Sequence, residues 1–308
     1  MTRFMVYRMG QGLATLVLIS ITVFGLVRLT GNPANAMLPI GAGPEAYDRI
    51  EAHWGLNEPL PVQYGRFLSN ALRGDLGESI SRPGRAALEV VLERVPATLL
   101  LGGASLLLAT LTAVVVGVMS AAYRGSLMDK FGKVVALVGQ SIPAFFLALL
   151  LMWFLALRTG WFPVAGYGTW RHLVLPTTAL GWYYVAAIMR LTRSAMLDAL
   201  DQDYILHARA KGLPGWLVIW KHAFRNALLT PLTYVGIVLG FLMAGSVAVE
   251  AVFSWPGIGL LVVDAVKARD FPLVQCVVLL FGSLFVAINV AVDIVYAYLD
   301  PRIRIATE

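Results

Sequence analysis

A chain of 308 residues that is 58% hydrophobic and only 14% charged departs from the roughly 45–50% apolar, about 25% charged make-up of soluble domains, so a single soluble core is excluded. Its formal charge of +6 is carried in short runs between apolar stretches, which speaks for membrane topology and against nucleic acid. One cysteine, Cys276, excludes a disulfide framework within the chain and reads as a small packing residue.

A helix needs about 20 mostly apolar residues to cross ~30 Å of hydrocarbon, and about six windows qualify. The first spans residues 9–29. Arg3 and Arg8, the apolar run and then Ala34-Asn35-Ala36 resemble a secretory signal with a small-residue cleavage site. A signal's apolar region is usually about 7–15 residues, however, so this stretch reads as a retained first span.

Residues 30–96 form the longest segment between spans. Turn signals (Gly41, Gly43, Pro44, Pro59, Pro61) alternate there with an amphipathic stretch over 62–72. That pattern predicts a small extracytoplasmic subdomain, with a partly ordered linking loop as the alternative.

The second span covers residues 97–121 and the third 134–157. Pro143 removes a backbone donor inside the third and should kink it, as a hinge or as an accommodated bend. The fourth, 173–189, is the weakest, because Pro176 and Thr177–Thr178 interrupt its start. The fifth covers 228–249 and the sixth 273–299.

Short loops set the orientation. Arg124, Lys130 and Lys133 flank one turn, Arg190, Arg193, Arg209, Lys211, Lys221 and Arg225 crowd the next, and Arg302 and Arg304 close the chain. This places those loops and both termini in the cytoplasm, the long 30–96 segment being exempt by its length. Trp153, Trp161, Trp170 and Trp255 fall near the outer ends, where amphipathic rings favour the interface. The expected fold is an all-α membrane protein. It divides into residues 1–29 (N-terminal region and first span), 30–96 (extracytoplasmic) and 97–308, a five-helix core with a cytoplasmic loop at 190–227.

That loop is more than a reversal. Asp201 or Asp203 can cap a helix over 204–211, Gly212 tolerates the left-handed backbone that ends it, and Pro214 prevents continuation. Ala208 and Ala210 are small enough for another protein to approach the backbone. A second amphipathic stretch follows over 216–225.

With Asp203-Tyr204, then Ala208-Arg209-Ala210-Lys211-Gly212-Leu213 and His222-Ala223-Phe224-Arg225-Asn226-Ala227, the loop resembles that of the permease subunits of binding-protein-dependent ABC importers, in the dipeptide/oligopeptide/nickel branch. Leu206, His207 and Ala208 stand where the family's general form has Glu-Ala-Ala. Further matches run in order along the chain. They are Gly74-Asp75-Leu76-Gly77-Glu78-Ser79, Arg94-Val95-Pro96-Ala97-Thr98 and Ser141-Ile142-Pro143-Ala144-Phe145. After these come Glu250-Ala251-Val252-Phe253-Ser254-Trp255-Pro256-Gly257-Ile258-Gly259, Arg269-Asp270-Phe271-Pro272 and Leu299-Asp300-Pro301-Arg302-Ile303-Arg304.

The resemblance implies a transport subunit of the bacterial cytoplasmic (inner) membrane, not an enzyme. Its partners would be a second homologous permease, two ATP-binding-cassette ATPases and an extracytoplasmic solute-binding protein. The helix carrying Asp203, Tyr204, His207, Ala208, Arg209, Ala210, Lys211, Gly212 and Leu213 would dock into an ATPase groove. No cofactor is expected on this chain, and ATP and Mg would sit on the ATPases. The cargo is a peptide or a related small solute. A loop that only fixes topology is the plainer alternative.

The residues themselves agree. No G-x-x-x-x-G-K-[ST] phosphate loop and no H-E-x-x-H occurs, and His53, His172, His207 and His222 are scattered, so neither ATP nor a metal has a recognisable site. Asn289 and Asp293 are intramembrane polar residues. A carboxylate at the bilayer centre costs about 2.5–3.5 kcal/mol, so Asp293 is expected to face the bundle and pair with a basic group, with a substrate or proton role as the alternative. Glu250 is expected at the outer mouth, in reach of water, as a gate or binding-protein contact. A self-sufficient secondary transporter would want internal repeats and mid-depth charges; a membrane-anchored scaffold or enzyme would need fewer spans and a larger soluble part.

Overall fold

The computed structural model describes residues 2–29, 38 and 43–299. The signal-like Ala34-Asn35-Ala36 and the segment from Asp300 to Arg304 lie outside the described residues. Among the described residues every regular element is helical, apart from an isolated antiparallel bridge between Glu78 and Ala86.

Helix α1 (Thr2–Leu29) is followed by α2 (Pro44–Trp54), α3 (Leu60–Leu72) and the short α4 (Ala87–Leu92). Next come α5 (Val95–Ala122), α6 (Leu127–Ser141) and α7 (Ala144–Leu151), which runs on as a π-helical turn, Met152–Arg158. Then follow α8 (Trp170–Leu200), α9 (Asp203–Ala210) and α10 (residues 215–227, π-helical over Val218–Ala223). The last three are α11 (Leu229–Phe253), α12 (Ile258–Lys267) and α13 (Phe271–Leu299). The chain divides into two compact units, residues 1–97 with 256–308, and residues 98–255.

In the first unit α1 lies along α13. The hydroxyls of Ser20 on α1 and Tyr64 on α3 are 2.8 Å apart, and Phe24 meets the rings of Tyr64 and Phe67 at 5.5 and 5.6 Å. The amphipathic stretch over 62–72 is thus helical, its apolar side turned to α1. Ala87, Val90 and Val91 of α4 share a core with Ile258, Leu261 and Ala265 of α12 and with Leu273, Cys276 and Val277 of α13. This shared core makes α4 and α12 a wedge beside the start of α13.

In the second unit α8 is the central helix, packed against α6, α7 and α11. Pro176 does not interrupt it: the helix starts earlier, at Trp170, and runs through the proline. Because protein rather than lipid surrounds α8, it tolerates Thr177, Thr192 and Arg193, which weakened the hydropathy signal. Close approach demands glycine on its neighbours. A Cβ on Gly139 would stand 2.7 Å from the Ala186 Cβ, and one on Gly117 would stand 2.9 Å from the Met189 carbonyl.

The expected single third span is two helices meeting at 105°. Ile142 is extended and Pro143 caps α7, so the bend expected at Pro143 is present as a full break between two helices. Among the described residues three helical stretches are long and apolar enough to cross a membrane: Met5–Leu29, Ala87–Ala122 and Phe271–Ile294. Counting the pairs Leu127–Ser141 with Ala144–Arg158 and Ser246–Phe253 with Ile258–Lys267 as one span each gives five. Trp153, Trp161 and Trp170 are exposed; Trp255 is instead buried, edge-on to Tyr167 at 4.8 Å.

Candidate functional site

Helix α9 follows α8 after only Asp201 and Gln202. The expected aspartate cap is not made: Gln202 is the N-cap and offers no side-chain hydrogen bond, while Asp203 is already helical. Its charge still favours the first turn through the helix dipole. The other end matches expectation. Gly212 has φ +75°, the Gly212 N–H donates to the Arg209 carbonyl at 2.9 Å, and the Leu213 N–H donates to the Ala208 carbonyl at 3.3 Å. This pair of bonds is a Schellman motif, which leaves the helix a defined length.

Two faces of α9 differ sharply. Ile205 and Ala208 point inward, onto Val118 and Ala121 of α5, Met196 and Ala199 of α8, and Val218, Ala223 and Ala227 of α10. Ala208, 5% exposed, is therefore not the small outward residue expected; its size lets α9 lie close to its own bundle. Ala210 is exposed, as are Asp203, Tyr204, Leu206, His207, Arg209, Lys211 and Gly212, and Leu213 packs half-buried on the inner cluster. Leu206 is 66% exposed, and Trp216 and Trp220 of α10 are exposed as well. Exposed aromatic side chains interspersed with charged ones are common in protein-contact surfaces.

Asp129 on α6 is fully buried. Arg193 of α8 donates to both its oxygens, at 2.8 and 3.2 Å. Ser120 of α5 and the Gly125 N–H donate at 2.8 and 3.0 Å, and Lys133 Nζ lies 3.0 Å away. A buried carboxylate persists only when charge and hydrogen bonds compensate its desolvation, and here five donors do so. The cluster ties three helices together at the end of the unit that carries α9.

The remaining polar residues have these partners. Asp293 of α13 meets Arg8 of α1 at 3.2 Å, the expected basic partner. Asn289 donates to the Phe285 carbonyl of its own helix at 2.8 Å. Glu250 is not at a wet mouth: it is 0% exposed, and Thr98 donates to its Oε1 at 2.9 Å. Its helix runs on to Phe253 and then turns back, the Trp255 N–H bonding the Glu250 carbonyl at 2.8 Å, so this turn of α11 is enclosed.

Two motifs noted separately in the sequence converge on Asp270, also fully buried. Its Oδ2 accepts from the Ser79 hydroxyl at 2.5 Å, the Ser81 hydroxyl at 2.7 Å and the Ser81 N–H at 2.9 Å, while Oδ1 accepts from the Leu273 N–H at 3.2 Å. Burial pushes this carboxyl up, but the hydroxyls and N–H groups outweigh it and hold it below the usual carboxylate range. Among the described residues no group of three or more His, Cys, Asp or Glu side chains is placed to hold a metal.

Residues 113–305 match the family described as binding-protein-dependent transport system inner membrane component, and residues 1–102 match its N-terminal membrane component. The chain belongs to this family of transport permeases. A glutathione transport system permease protein of Pectobacterium atrosepticum is 39% identical over 305 residues, covering 99% of both chains. A protein of Brucella abortus named as a peptide transport system permease is 40% identical over 315 residues, again covering 99% of each. Among solved structures, an amino acid ABC transporter crystallised with histidines superposes with a TM-score of 0.53 at 13% identity, over 70% of this chain and 94% of that one; at that identity the likeness is one of fold.

In this permease the residues that sequence reasoning missed are Asp129, Ser120 and the inward role of Arg193. Lys133 and Arg193 were read only as topology signals. A local signal existed: Ser126 accepts from the Asp129 N–H at 3.4 Å, the serine half of a capping box. Leu206 and Trp216 were also passed over, because single exposed apolar residues are ordinary and only their grouping on α9 and α10 has meaning.

Proposed function

We propose that this chain is one of two permeases of an ATP-binding-cassette importer in the bacterial cytoplasmic membrane. It crosses the bilayer six times, α8 counting as one span, with both termini in the cytoplasm. The two permeases form the path for a peptide or related small solute such as glutathione, which an extracytoplasmic binding protein delivers. Two separate ATPase subunits hold ATP and Mg and hydrolyse it; this chain binds no cofactor and catalyses no reaction.

The observation that carries this reading is the two-faced α9. Its inner face is fixed to α5, α8 and α10, and its outer face offers Tyr204, Leu206, His207, Arg209 and Ala210. A short helix anchored in this way moves as a body with the long helix before it. ATP-driven closure of the ATPases would displace α9 and with it α8. The names of the relatives support the cargo class.

The test is to tag the chain, extract it from native membranes in mild detergent and identify stoichiometric partners. A second permease and nucleotide-binding ATPases are expected, with ATP-dependent uptake in liposomes. A chain that purifies alone and transports without ATP would contradict the proposal.

A further inference from the structure

The C-terminal end of α1 and the loop before α3 enclose a groove of about 870 Å³, inside the ~300–1,000 Å³ range of small-molecule sites. Its walls are apolar: Ile21, Gly25 and Leu29 on one side, Leu56 and Leu60 on the other. A second cavity of about 280 Å³ adjoins it and shares Phe24, Arg28 and Gln63. Two buried polar atoms at this junction have no hydrogen-bond partner among the described residues. The Arg28 guanidinium lies over the Phe24 ring at 5.2 Å, its buried Nε has no acceptor, and among the described residues it forms no ion pair. The sequence that follows, residues 30–42, contains no Asp or Glu. Gln63 is 8% exposed; its Nε2 donates to the carbonyls of Leu56 and Glu58 at 2.9 and 2.7 Å, which fixes the amide and leaves Oε1 buried without a donor.

A half-buried cation, a buried acceptor and apolar walls at the end of a 28-residue apolar helix describe a complementary molecule. It has an anion, a hydroxyl and a hydrocarbon tail. We propose that this groove binds an anionic phospholipid of the phosphatidylglycerol type, its phosphate on Arg28, a headgroup hydroxyl toward Gln63 and an acyl chain along Ile21, Gly25 and Leu29. Basic pockets beside membrane helices recognise anionic headgroups in this manner. The lipid would brace α3 against α1, since it touches both. A free phosphate shares the headgroup chemistry but has no use for the apolar walls.

The intact importer complex, delipidated in detergent, is titrated with phosphatidylglycerol or phosphatidylcholine, and bound lipid is counted by native mass spectrometry. The wild type should prefer phosphatidylglycerol by about fivefold, the effect of one basic group at an anionic headgroup. Arg28→Gln should bring the preference to parity and Arg28→Lys should keep most of it. Gly25→Leu, where an added Cβ meets nothing within 4 Å, should fill the groove and weaken both lipids while leaving the helix intact. An undiminished preference in Arg28→Gln, or lipid binding unchanged in Gly25→Leu, overturns the proposal. Displacement of the lipid by inorganic phosphate alone would also overturn it, in favour of a bare anion site.

Discussion

Arg193 grips Asp129 with both ends of its guanidinium fork, at 2.8 and 3.2 Å, and does so seven residues before α8 ends. Asp129 sits near the start of α6, so the pair joins the last turns of α8, the helix that precedes α9, to the first helix of the bent pair α6–α7. Asp129→Asn leaves Arg193 without its counter-charge. A loss of about 3–5 kcal/mol is expected, as for other buried pairs cut on one side. Thermal unfolding followed by circular dichroism in detergent reads this directly, and Asp129→Glu should recover part of it.

Asp270 sets a pH limit. Its carboxyl is held below the usual value, so it contributes stability that is fully present above the unfolded value of about 3.9 and is lost as pH falls through the folded one. The stability gap between wild type and Asp270→Asn should therefore be constant near neutrality and close below about pH 4. Melting both proteins across that range by intrinsic fluorescence checks the sign. A gap that widens on acidification would be the opposite of what the Ser79 and Ser81 bonds require. Ser79→Ala alone should lose about 1.5–3 kcal/mol, the worth of a hydrogen bond to a charged group.

The close passages along α8 predict that bulk is penalised at specific glycines. Gly117→Ala places a methyl 2.8 Å from Thr192 Cβ and 2.9 Å from a backbone oxygen that cannot turn away. Overpacking of this kind costs about 1–3 kcal/mol. Gly103→Ala, where a Cβ meets nothing within 4 Å, is the matched control and should be neutral or slightly stabilising through helix propensity. Denaturation midpoints of the two variants should differ in that order.

Gly212 ends α9 at φ +75° with open space around it. Gly212→Val should cost about 1–2 kcal/mol of local strain, whereas Gly212→Asn should be tolerated because asparagine accepts the left-handed region. The expected readout is a valine variant that still assembles but uncouples ATP hydrolysis from uptake, with the asparagine variant close to wild type.

Much of this was legible in the sequence, and the exceptions have physical causes. Length and hydropathy located the long helices, and the Gly212-Leu213-Pro214 sequence located the end of α9, because both are local properties. The fourth window was weak because α8 is enclosed by protein and need not be apolar all round. Glu250 was misplaced since burial depends on where Thr98 comes to lie, 152 positions away. The Asp129 and Asp270 clusters are long-range for the same reason: a carboxylate near lysines reads as a solvated turn until Arg193 is brought to it. Ala208 was assigned the wrong face because a short helix shows its small residues at too few turns to define a stripe.

The most direct test of the account is cross-linking from α9. In a Cys276→Ser background, single cysteines at Leu206→Cys, His207→Cys and Ala208→Cys are treated with a short thiol-to-amine cross-linker in the assembled transporter. Positions 206 and 207 should join to an ATPase subunit, and the yield should change when nucleotide is bound. Position 208, which faces the bundle, should not. An intact, ATP-hydrolysing complex in which neither 206 nor 207 reaches the ATPase would contradict the claim that this helix is the coupling element.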